Sequence, residues 1–147
     1  MKWPAGLGAK GNEGVAGLVR QTPNAIGYVE LVYAIQNKMS YGRVRNAAGA
    51  FVKADLASVT AAGASAAIPD DFRVSITNPP GKDAYPIASF TWLLVPAKTQ
   101  DAQKRSVITA FLRWMLADGQ RMAEPLGYAP LPKALVPREL KAVGHIQ

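Results

Sequence analysis

Gly6-Leu7-Gly8-Ala9-Lys10-Gly11-Asn12-Glu13 is the stretch whose reading separates the possible folds. Its Gly-x-Gly-x-x-Gly spacing matches the loop that wraps a dinucleotide pyrophosphate, and Glu30 stands near the distance of a ribose-binding acid. That loop needs a buried strand running directly into the first glycine, so that the pyrophosphate meets a helix N-terminus at the strand's end. Here only Met1-Lys2-Trp3-Pro4-Ala5 precedes Gly6, and Pro4 interrupts that run. A dinucleotide site is therefore set aside. A P-loop fails too, because Lys10 precedes Gly11 and no Gly-Lys-Ser/Thr follows. What remains is a loop entering a helix. Asn12 is placed to cap it, Glu13 sits favourably at the positive end of its dipole, and Val15, Leu18, Val19 and Thr22 share one face. Free amides at Gly11 and Asn12 can hold an anion, although a plain loop-to-helix junction accounts for the same residues.

Outward from this loop, short elements alternate. Pro23-Asn24 ends the first helix, Ile26-Gly27-Tyr28-Val29 reads as a short buried strand, and Glu30 to Asn37 as two helical turns. Tyr41 to Arg45 and Phe51-Val52 read as strands around the turn Asn46-Ala47-Ala48-Gly49. Asp55 caps a helix of small residues from Leu56 to Ala67, which Pro69-Asp70-Asp71 stops. Phe72 to Thr77 alternates, with Val74 and Ile76 on one side. The strongest break follows, at Asn78-Pro79-Pro80-Gly81. Beyond it, Tyr85 to Val95 is the most apolar segment and reads as a central strand covered on both faces. Lys104 to Leu116 is the best helix, with Val107, Ile108, Phe111, Trp114 and Met115 at helical spacing. Gln120 to Pro125 adds a turn or two, and Pro137 opens a last helix ending near Val143. Strands alternating with helices predict an α/β fold.

Composition narrows the function classes. The chain has 147 residues, 49% of them hydrophobic and 18% charged, enough to build a core without disulfides. It has no Cys and one His, His145, so no thiol nucleophile, zinc ribbon or histidine metal cluster is available. The net charge is +7. Residues 1–50 hold six Lys/Arg against two Glu, and residues 51–147 hold eleven against eight acids. The excess is diffuse, as on a cationic soluble surface rather than a nucleic-acid footprint. No apolar run reaches the ~18 residues of a membrane span, and the opening residues lack the apolar core of a signal peptide.

The reactive side chains do not assemble. Asp70 and Asp71 are neighbours without a third carboxylate, better read as stopping a helix than as binding metal. Ser75, Thr77, Ser89 and Thr91 have no base to activate them. Trp92, Phe111 and Trp114 are spaced as core rather than as a stacking platform, and His145 is read as a solvated surface residue. No catalytic constellation, metal site or cofactor site is expected, and the chain is read as not an enzyme.

Several strings taken together are more specific. Lys2-Trp3-Pro4 with Gly6-Leu7-Gly8 and Lys10-Gly11-Asn12-Glu13-Gly14-Val15 resembles a segment of the phosphate ABC-transporter substrate-binding proteins. So do Ala25-Ile26-Gly27-Tyr28-Val29-Glu30, Tyr33-Ala34, Gln36-Asn37, Gly81-Lys82-Asp83-Ala84-Tyr85-Pro86-Ile87, Phe90-Thr91-Trp92 and Leu126-Gly127-Tyr128-Ala129-Pro130-Leu131-Pro132. The resemblance covers nearly the whole chain in one order. It implies an incomplete two-lobed periplasmic binding-protein fold of type II, C-terminal portion only. Residues 1–80 would complete the second lobe and residues 81–147 would return to the first.

The resemblance implies that a full-length protein binds inorganic phosphate between its lobes and hands it to a membrane permease from the periplasm. It also implies that the ligand residues lie upstream. No Arg-x-x-x-Ser-Gly-Thr occurs in the sequence, and Arg20, Arg43, Arg73 and Arg113 do not precede such a loop. No phosphate-binding residue is therefore assigned. The expectation is a truncated phosphate-binding protein, beginning at an internal Met or derived from a degraded paralogue. The alternative is a small self-standing α/β interaction module, cytoplasmic if Met1 is a true start. The lost partner strands would leave the isolated chain poorly stable or prone to self-association.

Overall fold

Helices account for most of the regular structure in the computed structural model, which describes residues 4–147. Lys2 and Trp3, from the first of the resembling strings, lie outside the described residues. The chain divides into two units, one running to Gly42 and the other spanning Arg43–Gln147.

In the first unit, α1 (Gly11–Gln21) follows the glycine loop and α2 (Leu31–Gln36) follows a loop with Asn24 at φ 61°. The cap differs from the reading above. Lys10 occupies the N-cap position without a side-chain bond, while Asn12 Oδ1 accepts from the Glu30 N–H at 2.9 Å. Asn12 thus fastens the start of α1 to the start of α2 rather than capping its own helix. Gly27 lies against α1, where an added Cβ would fall 2.7 Å from Val19 Cγ2. Ile26 is 98% exposed, and residues 26–29 form no strand. A strand needs a neighbour for its backbone N–H and C=O groups, and among the described residues none pairs with residues 26–29.

The second unit opens with the hairpin read from sequence. β1 (Arg43–Arg45) pairs antiparallel with β2 (Phe51–Lys53), with Val44 opposite Val52. Asn46 at the turn is buried, and its Nδ2 donates to the carbonyls of Gly81, Lys82 and Ala84 at 2.8–3.2 Å. Its Oδ1 accepts from the Ala50 N–H. One side chain therefore closes the hairpin and ties it to the loop after Pro80. α3 (Leu56–Ser65) starts with a capping box, in which Asp55 accepts from the Ser58 N–H and Ser58 Oγ accepts from the Asp55 N–H. The Ser58 carbonyl also accepts from Tyr85 N–H, so the helix holds the next stretch as well.

Two hydrophobic clusters form the interior of this unit. In the first, Ala62, Ile76, Ala84 and Ala88 are buried, with Val59, Ala66 and Phe90 against them. It spans both sides of Asn78-Pro79-Pro80-Gly81, and Asn78 N–H donates to the Pro86 carbonyl across that break. In the second, α4 (Ala102–Leu116) packs on α5 (Val136–Val143) through Leu112, Leu116 and Val143. Asp101 caps α4, and 3-10 turns at Asp118–Met122 and Glu124–Leu126 join the two helices. Gln120 bridges these parts, its amide donating to the Met115 carbonyl and accepting from Leu131 N–H.

Three expectations are corrected here. Residues 72–77 form no strand, although burial still alternates from Phe72 through Val74 to Ile76. Residues 85–95 are not a central strand covered on both faces: Leu94 is 96% exposed, and Trp92 and Leu93 are exposed too. Finally, Val107, Phe111 and Trp114 lie on an outer face of α4, not in the core. That helix is apolar around more than one face, and α5 covers only the face carrying Ile108, Leu112, Met115 and Leu116. What the fold retains is a partial α/β pattern, helical with a single two-stranded sheet among the described residues.

Candidate functional site

The glycine loop is the first place to look for an anion. Gly11 adopts φ +70°, and a Cβ there would fall 2.9 Å from Glu13 Oε2, so the carboxylate lies back over the first turn of α1. The Glu13 carboxyl is held below its usual range, first by a hydrogen bond to its own backbone N–H and then by the Tyr33 hydroxyl, which donates to Oε1 at 2.8 Å. The positive end of this helix therefore already faces an anion of its own. A phosphate arriving here would meet that negative charge, and Arg20, the arginine of this unit, donates instead to Asn37 Oδ1.

The other residues singled out from sequence go separate ways. Asp70 accepts from Arg138, whose guanidinium also donates to the Ile68 and Pro69 carbonyls at 2.9 Å and lies over the Phe72 ring. Asp71 accepts from the Arg73 N–H. Asp70 is thus part of a clamp that holds the loop after α3 to α5, while Asp71 bonds within the loop. Ser75 accepts from Thr77 N–H, and Ser89 donates to the Phe90 carbonyl, both local bonds. His145 is exposed. Among the described residues, no three His, Cys, Asp or Glu side chains gather where a metal ion could sit.

A large concavity lies inside the second unit. It is a cleft of about 1190 Å³, walled on one side by residues 71–76 and on another by residues 89–95. Val59 and Gly63 of α3, Leu112 and Met115 of α4 and Leu135 close it. The lining is overwhelmingly apolar, with Asp71, Arg73 and Glu139 as its charged members. Burial raises the Glu139 carboxyl, partly offset by the neighbouring Arg138. Nothing in this cleft converges donors on a point, as a dehydrated oxyanion requires.

A family profile for the PBP superfamily domain matches residues 2–119. The chain belongs to the PBP superfamily. It is 46% identical over 138 residues to phosphate-binding protein PstS of Xylella fastidiosa strain Temecula1, a match covering 92% of this chain and 38% of that protein. The PstS of Haemophilus influenzae is 36% identical over 92% of this chain and 41% of its own length. The PstS of Methanocaldococcus jannaschii is 34% identical over all of this chain and 42% of its own. The chain thus spans about 40% of the length of the curated relatives it matches. This PBP-superfamily chain is related to proteins named for phosphate binding.

Sequence reading missed the polar residues that hold this PBP-superfamily chain together. Asn46 was legible as a turn residue but not as the donor to three distant carbonyls. Arg138 follows Pro137 at a helix start, and only the acidic pair far upstream hinted at its partner. Among the described residues, no helix is long and apolar enough to cross a membrane.

Proposed function

We propose that this chain is the C-terminal portion of a two-lobed phosphate-binding protein that serves a phosphate ABC importer. Residues 1–80 belong to the second lobe and residues 81–147 return to the first. In the periplasm, the completed protein takes up inorganic phosphate between its lobes and delivers it to the membrane permease. The observation that carries this reading is the match itself, which takes in 92% of the chain but only 38% of the Xylella protein named for phosphate binding. The lack of an arginine before a Ser-Gly-Thr loop supports placing the phosphate ligands in the uncovered part. So does the Glu13 carboxylate at the start of α1.

Titration calorimetry tests it. The chain alone should give no saturable heat with phosphate at low ionic strength. Mixed with the uncovered part of the Xylella relative, it should bind phosphate at micromolar concentration or tighter. Micromolar binding by the chain alone, lost on substitution of Gly11 or Asn12, would overturn the assignment and make the glycine loop the anion site. A sharp melt of a monomer that the added part leaves unchanged would favour a self-standing interaction module.

A further inference from the structure

The hairpin of the second unit carries an unbalanced charge pattern. Its register sets Arg43 opposite Lys53 and Arg45 opposite Phe51, so these four exposed side chains share the face away from half-buried Val44 and Val52. At the turn, Asn46 N–H donates to the Ala50 carbonyl, which makes 46–50 and, two residues on, 44–52 the hydrogen-bonded pairs. Arg43–Lys53 and Arg45–Phe51 are then the close pairs, with Cα atoms about 4.5 Å apart. Like charges placed directly opposite destabilise a ladder. No acid occurs in the sequence between Glu30 and Asp55, and the Asp55 carboxylate is engaged by the Ser58 N–H. The guanidinium groups of Arg43 and Arg45 have no hydrogen-bond or ion-pair partner among the described residues.

We propose that this face is a docking surface for an acidic polypeptide segment, extended and carrying carboxylates on alternate residues. Residues two apart on a strand lie about 7 Å from each other. That is the spacing of Arg43 and Arg45 along β1, so successive carboxylates of such a segment meet successive arginines, each able to take a carboxylate through two N–H groups. A carboxylate set against Arg43 also meets Lys53 across the ladder, and a repelling pair acquires a shared partner. Phe51, 64% exposed and opposite Arg45, gives the same segment an apolar surface. Two other polyanions fit less well. Anionic membrane surfaces are recognised by clusters of about four to eight cations, and this face has Arg43, Arg45 and Lys53 alone. A nucleic acid calls for a basic stripe with several stacking rings, whereas the hairpin offers a single ring and the charge excess of residues 51–147 is slight.

The probe is a short, labelled peptide of alternating Glu and Thr, titrated against the whole chain at neutral pH by fluorescence anisotropy. Its binding should weaken about tenfold between about 20 and 200 mM salt, because exposed charges are screened. Arg43→Gln with Arg45→Gln should weaken it about tenfold at the lower salt. Lys98→Gln with Lys104→Gln, which removes the same charge from exposed positions elsewhere, should change it by less than about twofold. Arg43→Glu with Arg45→Glu should lose this peptide and take up its Lys-Thr counterpart. Amide exchange in the hairpin checks that each variant folds, and in the free chain Arg43→Gln alone should slow it about 1.5- to 5-fold by removing the like-charge pair. Equal losses in the two glutamine pairs would reduce the effect to net charge and overturn the proposal. Absence of saturable binding by the unaltered chain at low salt overturns it too, as does binding indifferent to salt or a charge-swapped variant that takes neither peptide. Tighter binding to phosphatidylglycerol vesicles or to oligothymidylate, lost in the same arginine variants, overturns it in favour of a lipid surface or a nucleic acid.

Discussion

The two clusters of the second unit solve the same problem with different materials. Around Ala62, Ile76, Ala84 and Ala88 the buried side chains are mostly single methyl groups, and precision comes from polar fasteners: Asn46 to three carbonyls, and Ser58 and Asp55 to each other's backbone. Around Leu112, Leu116 and Val143 the fasteners recede and two helices meet through larger aliphatic groups. The difference lies in where the backbone finds its partners. Helices α4 and α5 satisfy their peptides internally and need only one apolar face covered. The irregular stretches beside the first cluster do not, and residues 90–95 make no backbone–backbone hydrogen bond to another described residue. A helical region thus meets its own backbone needs, while the stretches beside the first cluster rely on side chains and scattered bonds.

This contrast can be broken by experiment. The largest effect is expected for Leu116→Ala, which empties the centre of the helical cluster and should cost about 2–5 kcal/mol. Urea unfolding followed by amide exchange should show the loss in α4 and α5, with α3 spared. Equal loss in α3 would mean that the clusters form one cooperative body. Asn46→Ala should come next, at about 1–3 kcal/mol, because it leaves buried carbonyls of the 81–84 loop without their donor. Its exchange pattern should be the opposite, fast in the hairpin and α3 and unchanged in α5. Asn46→Asp, which keeps the size and loses the donors, should behave alike. If it is neutral, the side chain matters for the hairpin turn alone.

Asp55→Ala should cost about 1 kcal/mol through the lost capping box, measured as a lower urea midpoint with the slope unchanged. The smallest effects concern pH, and the two glutamates should differ in sign. Glu13 is held below its ordinary 4.5 in the folded chain, so its support is present above that value and disappears as pH falls through the folded pKa. Tyr33→Phe should narrow that window without removing it, since the larger contribution comes from the backbone N–H. Glu139 is raised by burial, so its fold is favoured while the carboxyl is protonated and loses that advantage as pH rises through its folded pKa. Glu139→Gln should flatten the rise in lability on that side. Stability curves measured from pH 3 to 7 check both.

How much of this was legible follows the same divide. The helices around Val15, Leu31, Leu56 and Ile108, the hairpin at Asn46 to Gly49 and the Asp55 cap could be read directly, because each is settled by residues within a few positions. Residues 72–77 kept their two-residue periodicity of burial but not a ladder, since periodicity is local and pairing is not. For residues 85–95, an apolar run was taken to mean burial, yet apolarity records what a segment is made to meet, and here Leu94 meets solvent. Phe111 and Trp114 misled in the same way. For the candidate site, the sequence shows directly only the absence of Cys, the lone His145 and the lack of an arginine loop. Glu13 folding over Gly11 and Arg138 reaching Asp70 depend on loop geometry that no spacing encodes.

Trp92 and Trp114 give these contrasts an optical form. Trp92 lines the cleft and meets Phe90 edge-on at 5.6 Å, whereas Trp114 sits on the outer face of α4 beside Phe111 and does not line the cleft. Both indoles are about half in water, so their fluorescence should lie toward the red and be open to quenching by acrylamide. Filling the cleft should dry one indole and leave the other wet. With Trp3 also replaced by Phe, replacing each of the two in turn would separate their signals, giving the chain a colour change that reads one region against an internal standard in the other.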